Sequence, residues 1–257
     1  MDRPCQFLIN YGHPLALGNV FLGLGGPAGV GSTLYQDSSL YRNNGALTNM
    51  VPGTDWVWNT FLGRWVLDFH GANPRIVFSL KSSTGTTWSQ SAWFFARSSP
   101  SYGAVSDFML GRLAWAWLNG SPSHIGIWDV GWKNLFIAPP LNTWNHMLLV
   151  SSAGKHQLWL NGVAGSVVSG VSVSLGGAAA IGNLVDLSYP FDGFISDLLV
   201  YDGDKSSFAP ILADPSNALL GGLLMPPKRR YYRIGGGTTY HGYPYPILAP
   251  MHGGFQR

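Results

Sequence analysis

Short apolar runs separated by clusters of Gly, Pro, Asn and Ser fill most of the chain, and no window sustains the 3.6-residue period of an amphipathic helix. The runs read as strands: "NVFLGL" (19–24), "WVLDF" (65–69), "RIVFSL" (75–80), "QSAWFFAR" (90–97), "DFMLGRLAWAWL" (107–118), "SHIGIWDV" (123–130) and "NLFIAP" (134–139). The second half adds "NHMLLVSS" (145–152), "HQLWLN" (156–161), "SVVSGVSV" (166–173), "AAAIGN" (178–183) and "FDGFISDLLVYD" (191–202). About a dozen strands at this spacing predict one two-sheet sandwich rather than two small domains. In "HQLWLN" the alternation puts Leu158 and Leu160 on one face and Gln157 and Trp159 on the other. Asn161–Gly162 then has the residue types of a tight hairpin turn, and "AWAWLNGSP" (114–122) repeats the Trp-Leu-Asn-Gly sequence.

The pattern changes after about residue 205. "SFAPILADPSNALLGGLL" (207–224) has the make-up of a short helical turn, and a Pro-, Gly-, Tyr- and His-rich tail follows it. That tail has too few aliphatic residues for a core of its own, which predicts an arm laid on a partner or left unfolded. The expected organisation is an N-terminal arm (1–14), a jelly-roll domain (15–205) and a basic C-terminal arm (206–257).

Composition sharpens this picture. Apolar residues make up 46% of the chain, enough for a sizeable core, while charged residues reach only 11% against about 25% in an ordinary soluble domain. Such a surface suggests faces covered by neighbours. All twelve acidic residues are Asp, and the missing Glu suits turns and strands better than helices. Residues 1–214 hold ten Lys/Arg and twelve Asp, a net of −2, whereas residues 215–257 hold five Lys/Arg and no acid, a net of +5. Cys5 is the only cysteine, so the chain has no internal disulfide. "PLALGNVFLGLGG" (14–26) is too short and too broken to span a bilayer, and it lacks the basic flank of a signal peptide.

Five segments, taken in order, resemble the laminin-G-like, concanavalin A-like lectin/glucanase superfamily. They are "YQDSSLYRNNGALTNM" (35–50), "WVLDFHGANPRIV" (65–77), "WSQSAWFFAR" (88–97), "WNHMLLVSSAGKHQLWLNGV" (144–163) and "IGNLVDLSYPFDGFISDLLVYD" (181–202). The second departs from the family's pattern where Pro74 follows Asn73. The resemblance covers roughly residues 15–205 and implies an all-β fold, an antiparallel jelly roll of two packed sheets. "GALTNMVPGTDWV" (45–57) and "LLMPPKRRYY" (223–232) are similar to versions of the domain in tailed-phage and planctomycete proteins.

Enzymes and binders share this fold, so the site must decide between them. The resemblance implies a pair of Glu for glucanase chemistry, and the chain has none. Asp192 and Asp197 are a poor substitute, because their odd spacing puts them on opposite sheet faces unless a bulge intervenes. A Ca²⁺ site on the sandwich rim would draw on Asp37, Asn43, Asn73 and Asp186, residues that serve equally as turn formers, the role we favour. His146 reads as a packed strand residue and not a metal ligand. Trp115, Trp117, Trp128 and Trp159 are candidate glycan platforms or subunit contacts, although most of the eleven Trp should fill the core between the sheets. Lys228, Arg229, Arg230, Tyr231, Tyr232 and Arg233 form a candidate docking arm, better suited to protein partners than to nucleic acid.

These readings lead to a first expectation of a non-enzymatic structural or decoration protein of a phage-like virion. It would be made in the host cytoplasm, with its arms docked on other virion proteins and symmetry mates, without a membrane and without a cofactor. The alternative expectation is a carbohydrate-binding module for host-surface or environmental glycans.

Overall fold

Period-2 alternation resolves into two antiparallel sheets packed face to face. The computed structural model describes residues 8–23, 32–70, 72–82, 84–98, 102–108, 113–118, 124–128, 132–137, 139–172, 174–185, 189–215 and 224–225. These residues all belong to the first of two units, Met1–Pro227; the second, Lys228–Arg257, lies outside the described residues. Early strands are β1 (Leu8–Ile9), β2 (Asn19–Gly23), β3 (Leu34–Tyr35) and β4 (Gly45–Thr48), followed by a helical turn α1 (Pro52–Asp55). Next come β5 (Trp56–Asn59), β6 (Arg64–Phe69), β7 (Arg75–Leu80), β8 (Trp88–Ala96), β9 (Tyr102–Phe108) and β10 (Leu113–Leu118). The middle holds β11 (His124–Trp128), β12 (Trp132–Ile137), β13 (Trp144–Ser152) and β14 (Lys155–Leu160). Short β15 (Val163–Ala164) and β16 (Val168–Ser169) precede β17 (Gly177–Ile181) and β18 (Gly193–Asp202). A 3-10 turn (Ser206–Phe208), α2 (Ala209–Leu212) and β19 (Leu224–Met225) close the described chain.

One sheet has eight strands in the order β12-β11-β10-β9-β17-β7-β4-β3. The other has nine, β15-β14-β13-β8-β18-β6-β5, with β16 added on β14 and β2 on β18. Side chains that alternate inward from both sheets make the main core, including Phe21, Phe69, Trp88, Phe94, Leu149, Leu158, Ile181 and Ile195. Phe21 and Phe78 stack across it with ring centroids 4.4 Å apart. Leu158 and Leu160 point into this core, as the alternation predicts. Asn161 and Gly162 join β14 to β15 with φ of +51° and +80°, the left-handed pair that a two-residue hairpin requires.

The nine-stranded sheet is covered on its other face too. Leu15, Leu22, Leu148, Val150, Leu199 and Tyr201 are buried there under the N-terminal turn and α2, which contributes Ala209 and Leu212. Farther along, Leu62 of the β5–β6 turn buries against Val66 and Trp93. This second apolar layer corrects the expectation for tryptophan. Among the nine Trp whose side chains are described, only Trp56 and Trp88 are buried between the sheets, with Trp65 packed against that core. Trp93, Trp144 and Trp159 instead serve the outer layer.

Six short strands, β1, β3, β4, β5, β15 and β19, lie outside the expected runs, and two of those runs differ. The run 107–118 is not one strand; it divides between β9 and β10, which pair antiparallel. Among the described residues of 166–173, only Val168–Ser169 pairs within a sheet. The helical turn expected after residue 206 is present as α2.

Candidate functional site

A cleft of about 230 Å³ opens between the N-terminal turn and the segment 38–41. Both walls are fixed by local polar chemistry. In the first, the His13 N–H donates to Asn10 O, the Ala16 N–H to His13 O, and the Leu15 N–H to His13 Nδ1, while buried Leu15 anchors the turn to the sheet. The second is organised by Asp37, which is 1% exposed. Its carboxylate accepts the backbone N–H groups of Leu22 (2.8 Å), Ser39 (2.8 Å) and Asn43 (2.7 Å) and the Ser39 hydroxyl (2.7 Å). A hydrogen bond from Tyr11 Oη to Ser38 O, 3.3 Å, ties the two walls.

The mouth presents Tyr11 and Tyr41, 42% and 41% exposed, with Leu17 and Leu40 beside them. Its floor includes Asn19, Val20, Leu22, Ser39 and Ser82, and Asp202 closes one side at the end of β18. Gly18 has φ +72°, and a Cβ there would lie 2.4 Å from Asp202 O, so only glycine lets the N-terminal turn approach β18 this closely. Asp202 Oδ1 accepts the Gly85 N–H at 2.6 Å. Beneath the floor, burial raises the pKa of the Tyr201 hydroxyl, an effect that the neighbouring Asn19 side chain partly offsets. Neither side chain completes a hydrogen bond of good geometry. Lys205 sits over the Tyr201 ring and donates to Pro14 O at 3.2 Å, and burial lowers its pKa. The cleft thus offers aromatic edges, apolar walls and a few convergent polar groups, the usual make-up of a small-ligand site.

None of these cleft residues stood out in the sequence as a platform. Trp128 is about half exposed at the end of β11, opposite Trp132 in the β11–β12 hairpin of the eight-stranded sheet. Trp159 is half-buried on the nine-stranded sheet, packed against the cluster that α2 covers. Trp115 and Trp117 lie in β10, in register with Ile127 and Ile125, and their side chains lie outside the described residues. The structure therefore does not bring Trp128 and Trp159 together. Lys228, Arg229, Arg230, Tyr231, Tyr232 and Arg233, Asp186 and the turn at 119–120 also lie outside the described residues.

The other candidates are absorbed by structure. Asp197 sits in a β-bulge between Ser196 and Leu199 with φ +51°, the irregularity that the odd spacing from Asp192 left open. It pairs with buried Arg64, while Asp192 pairs with Arg97, which also binds Asp68. Asn43 is buried, donating to Val20 O and accepting the Lys81 N–H, and Asn73 is a left-handed turn residue. Among the described residues no group of three or more His, Cys, Asp or Glu is placed to hold a metal ion. His146 is fully buried, with Nε2 2.8 Å from Ser91 Oγ. Desolvation, reinforced by the Arg64 charge, lowers its pKa to about 3, so it is neutral at physiological pH.

Several solved structures share this architecture. Domain 4 of AbnA, an extracellular arabinanase of Geobacillus stearothermophilus solved with arabinotriose, is 17% identical with a TM-score of 0.59, over 76% of this chain and 98% of that one. The receptor-binding domain of botulinum neurotoxin D is 13% identical with a TM-score of 0.56 over 80% of this chain, which spans about half (52%) of the toxin chain. The serotype D ligand-binding domain in complex with N-acetylneuraminic acid gives 14%, 0.55, 80% and 51% in the same terms. At such identities the likeness is one of fold. No curated protein matches the sequence. A family model described as the concanavalin A-like lectin/glucanases superfamily matches residues 70–207, more than half of the chain. Together with the two-sheet jelly roll, that match establishes that the chain belongs to the concanavalin A-like lectin/glucanase superfamily.

Proposed function

We propose that this domain binds carbohydrate without cleaving it, and that the Tyr11–Tyr41 cleft is the binding site. The carrying observation is the cleft itself: two phenol rings open at the mouth of a small concavity that also holds an exposed carboxylate. Sugars present apolar C–H faces and rings of hydroxyls, so aromatic surface beside hydrogen-bonding groups is the chemistry that retains them. Among similar structures, one was solved with arabinotriose and another with N-acetylneuraminic acid, which supports the reading. The engagement of Asp192 and Asp197 by arginines weighs against a carboxylate pair free for hydrolysis.

A virion role gains nothing from these relatives, and the tail on which it chiefly rests lies outside the described residues. The test is a glycan array followed by calorimetric titration of the strongest ligands. Tyr41→Ala should weaken binding at least tenfold while leaving the melting temperature within a few degrees. An array with no ligand, or ligands indifferent to both Tyr11→Ala and Tyr41→Ala, would refute the assignment.

A further inference from the structure

The cleft's charge goes beyond the statement that a glycan binds there. Among the described residues its lining includes one carboxylate, Asp202, and no Lys, Arg or His. Three cations stand on flanking segments outside the lining: Lys81 and Lys205 donate to the carbonyls of Arg42 and Pro14, and the exposed Arg42 side chain follows Tyr41. Two hydrogen bonds tie Asp202 in place. Its N–H donates to Gly18 O at 2.6 Å, and its Oδ1 takes the Gly85 N–H. Oδ2 has no hydrogen bond among the described residues, so a fixed anionic acceptor remains on the wall of the cleft.

We infer that the cleft selects an uncharged glycan, with Asp202 as the specificity-determining residue; this rests on the glycan reading above. A carboxylate accepts strong, charge-assisted hydrogen bonds from sugar hydroxyls. The same group repels the carboxylate of a sialic or uronic acid, and no cation among the described lining residues offsets that repulsion.

The experiment titrates the whole protein with arabinotriose and other neutral trisaccharides, with N-acetylneuraminic acid and with trigalacturonate, at low and moderate salt. The expected result is measurable binding of at least one neutral sugar, and affinity for the acidic sugars at least tenfold lower. Asp202→Asn keeps an acceptor for the Gly85 N–H, so the fold should survive, as a melting curve would confirm. It should weaken the neutral ligand several-fold and narrow the discrimination. Acidic sugars binding as well as neutral ones, or a discrimination unchanged by Asp202→Asn in a folded protein, overturns the inference while leaving glycan binding intact. No binding by any sugar overturns the glycan reading and this inference together.

Discussion

Removing the Asp37 carboxylate should cost the protein a large share of its stability. Four donors converge on this side chain: three backbone N–H groups, from Leu22, Ser39 and Asn43, and the Ser39 hydroxyl. Hydrogen bonds to a charged group contribute roughly 1.5–3 kcal/mol each, and a buried donor left without a partner costs about 1–3 kcal/mol. In Asp37→Ala the hydroxyl can turn elsewhere, but the three N–H groups are fixed by the backbone. Allowing for water entering the relaxed loop, the loss is about 3–5 kcal/mol, against a total stability of roughly 5–15 kcal/mol for a typical domain. Asp37→Asn retains one acceptor oxygen and mismatches mainly the Asn43 N–H, which points to about 2 kcal/mol. Urea denaturation followed by tryptophan fluorescence measures both. Asp204→Ala is the control, since exposed Asp204 accepts only the Ser206 N–H among the described residues, and it should change stability by less than about 1 kcal/mol. A loss below about 1 kcal/mol for Asp37→Ala, or equal losses for Asp37→Ala and Asp204→Ala, would refute the view that this knot holds the second wall of the cleft.

Two further outcomes follow from buried charge. His146 has a folded-state pKa of about 3 against about 6.5 unfolded, so the unfolded chain binds the extra proton. Stability is therefore complete above about pH 6.5 and falls by up to about 1.4 kcal/mol per pH unit below it, levelling near pH 3; His146→Gln should flatten the slope of melting temperature between pH 6.5 and 4. Arg64→Met removes the arginine from a buried ion pair with Asp197 and should cost about 3–5 kcal/mol. Adding Asp197→Asn, which tolerates the left-handed backbone at that position, should restore part of that loss, and a double-mutant cycle with no coupling would show the pair to be idle.

The fold was largely legible because alternation and turn chemistry are local signals. "RIVFSL" is β7 residue for residue, and the Asn161–Gly162 turn follows from the left-handed freedom of that pair. Strand 107–118 was misread because β9 and β10 are neighbouring strands of similar apolar content, and only their pairing separates them. Tryptophan placement failed for a different reason. Alternation assigns a residue to a face but does not say whether that face is covered, and here α2 and the N-terminal turn cover the outer one. The cleft was invisible for the same long-range reason. Tyr11, Tyr41 and Asp202 are ordinary loop and strand-end residues until the Asp37 knot and the Gly18–Asp202 approach bring them together.

The pairing of β1 with β19 has a mechanical consequence. Leu8 and Ile9 lie antiparallel to Met225 and Leu224, so the polypeptide enters and leaves the jelly roll side by side. Tension applied through both flanking segments would pull this short ladder apart one rung at a time, like a zipper, instead of shearing all its bonds together. The first yield under load would be at this clasp, at low force, while the two large sheets remain assembled.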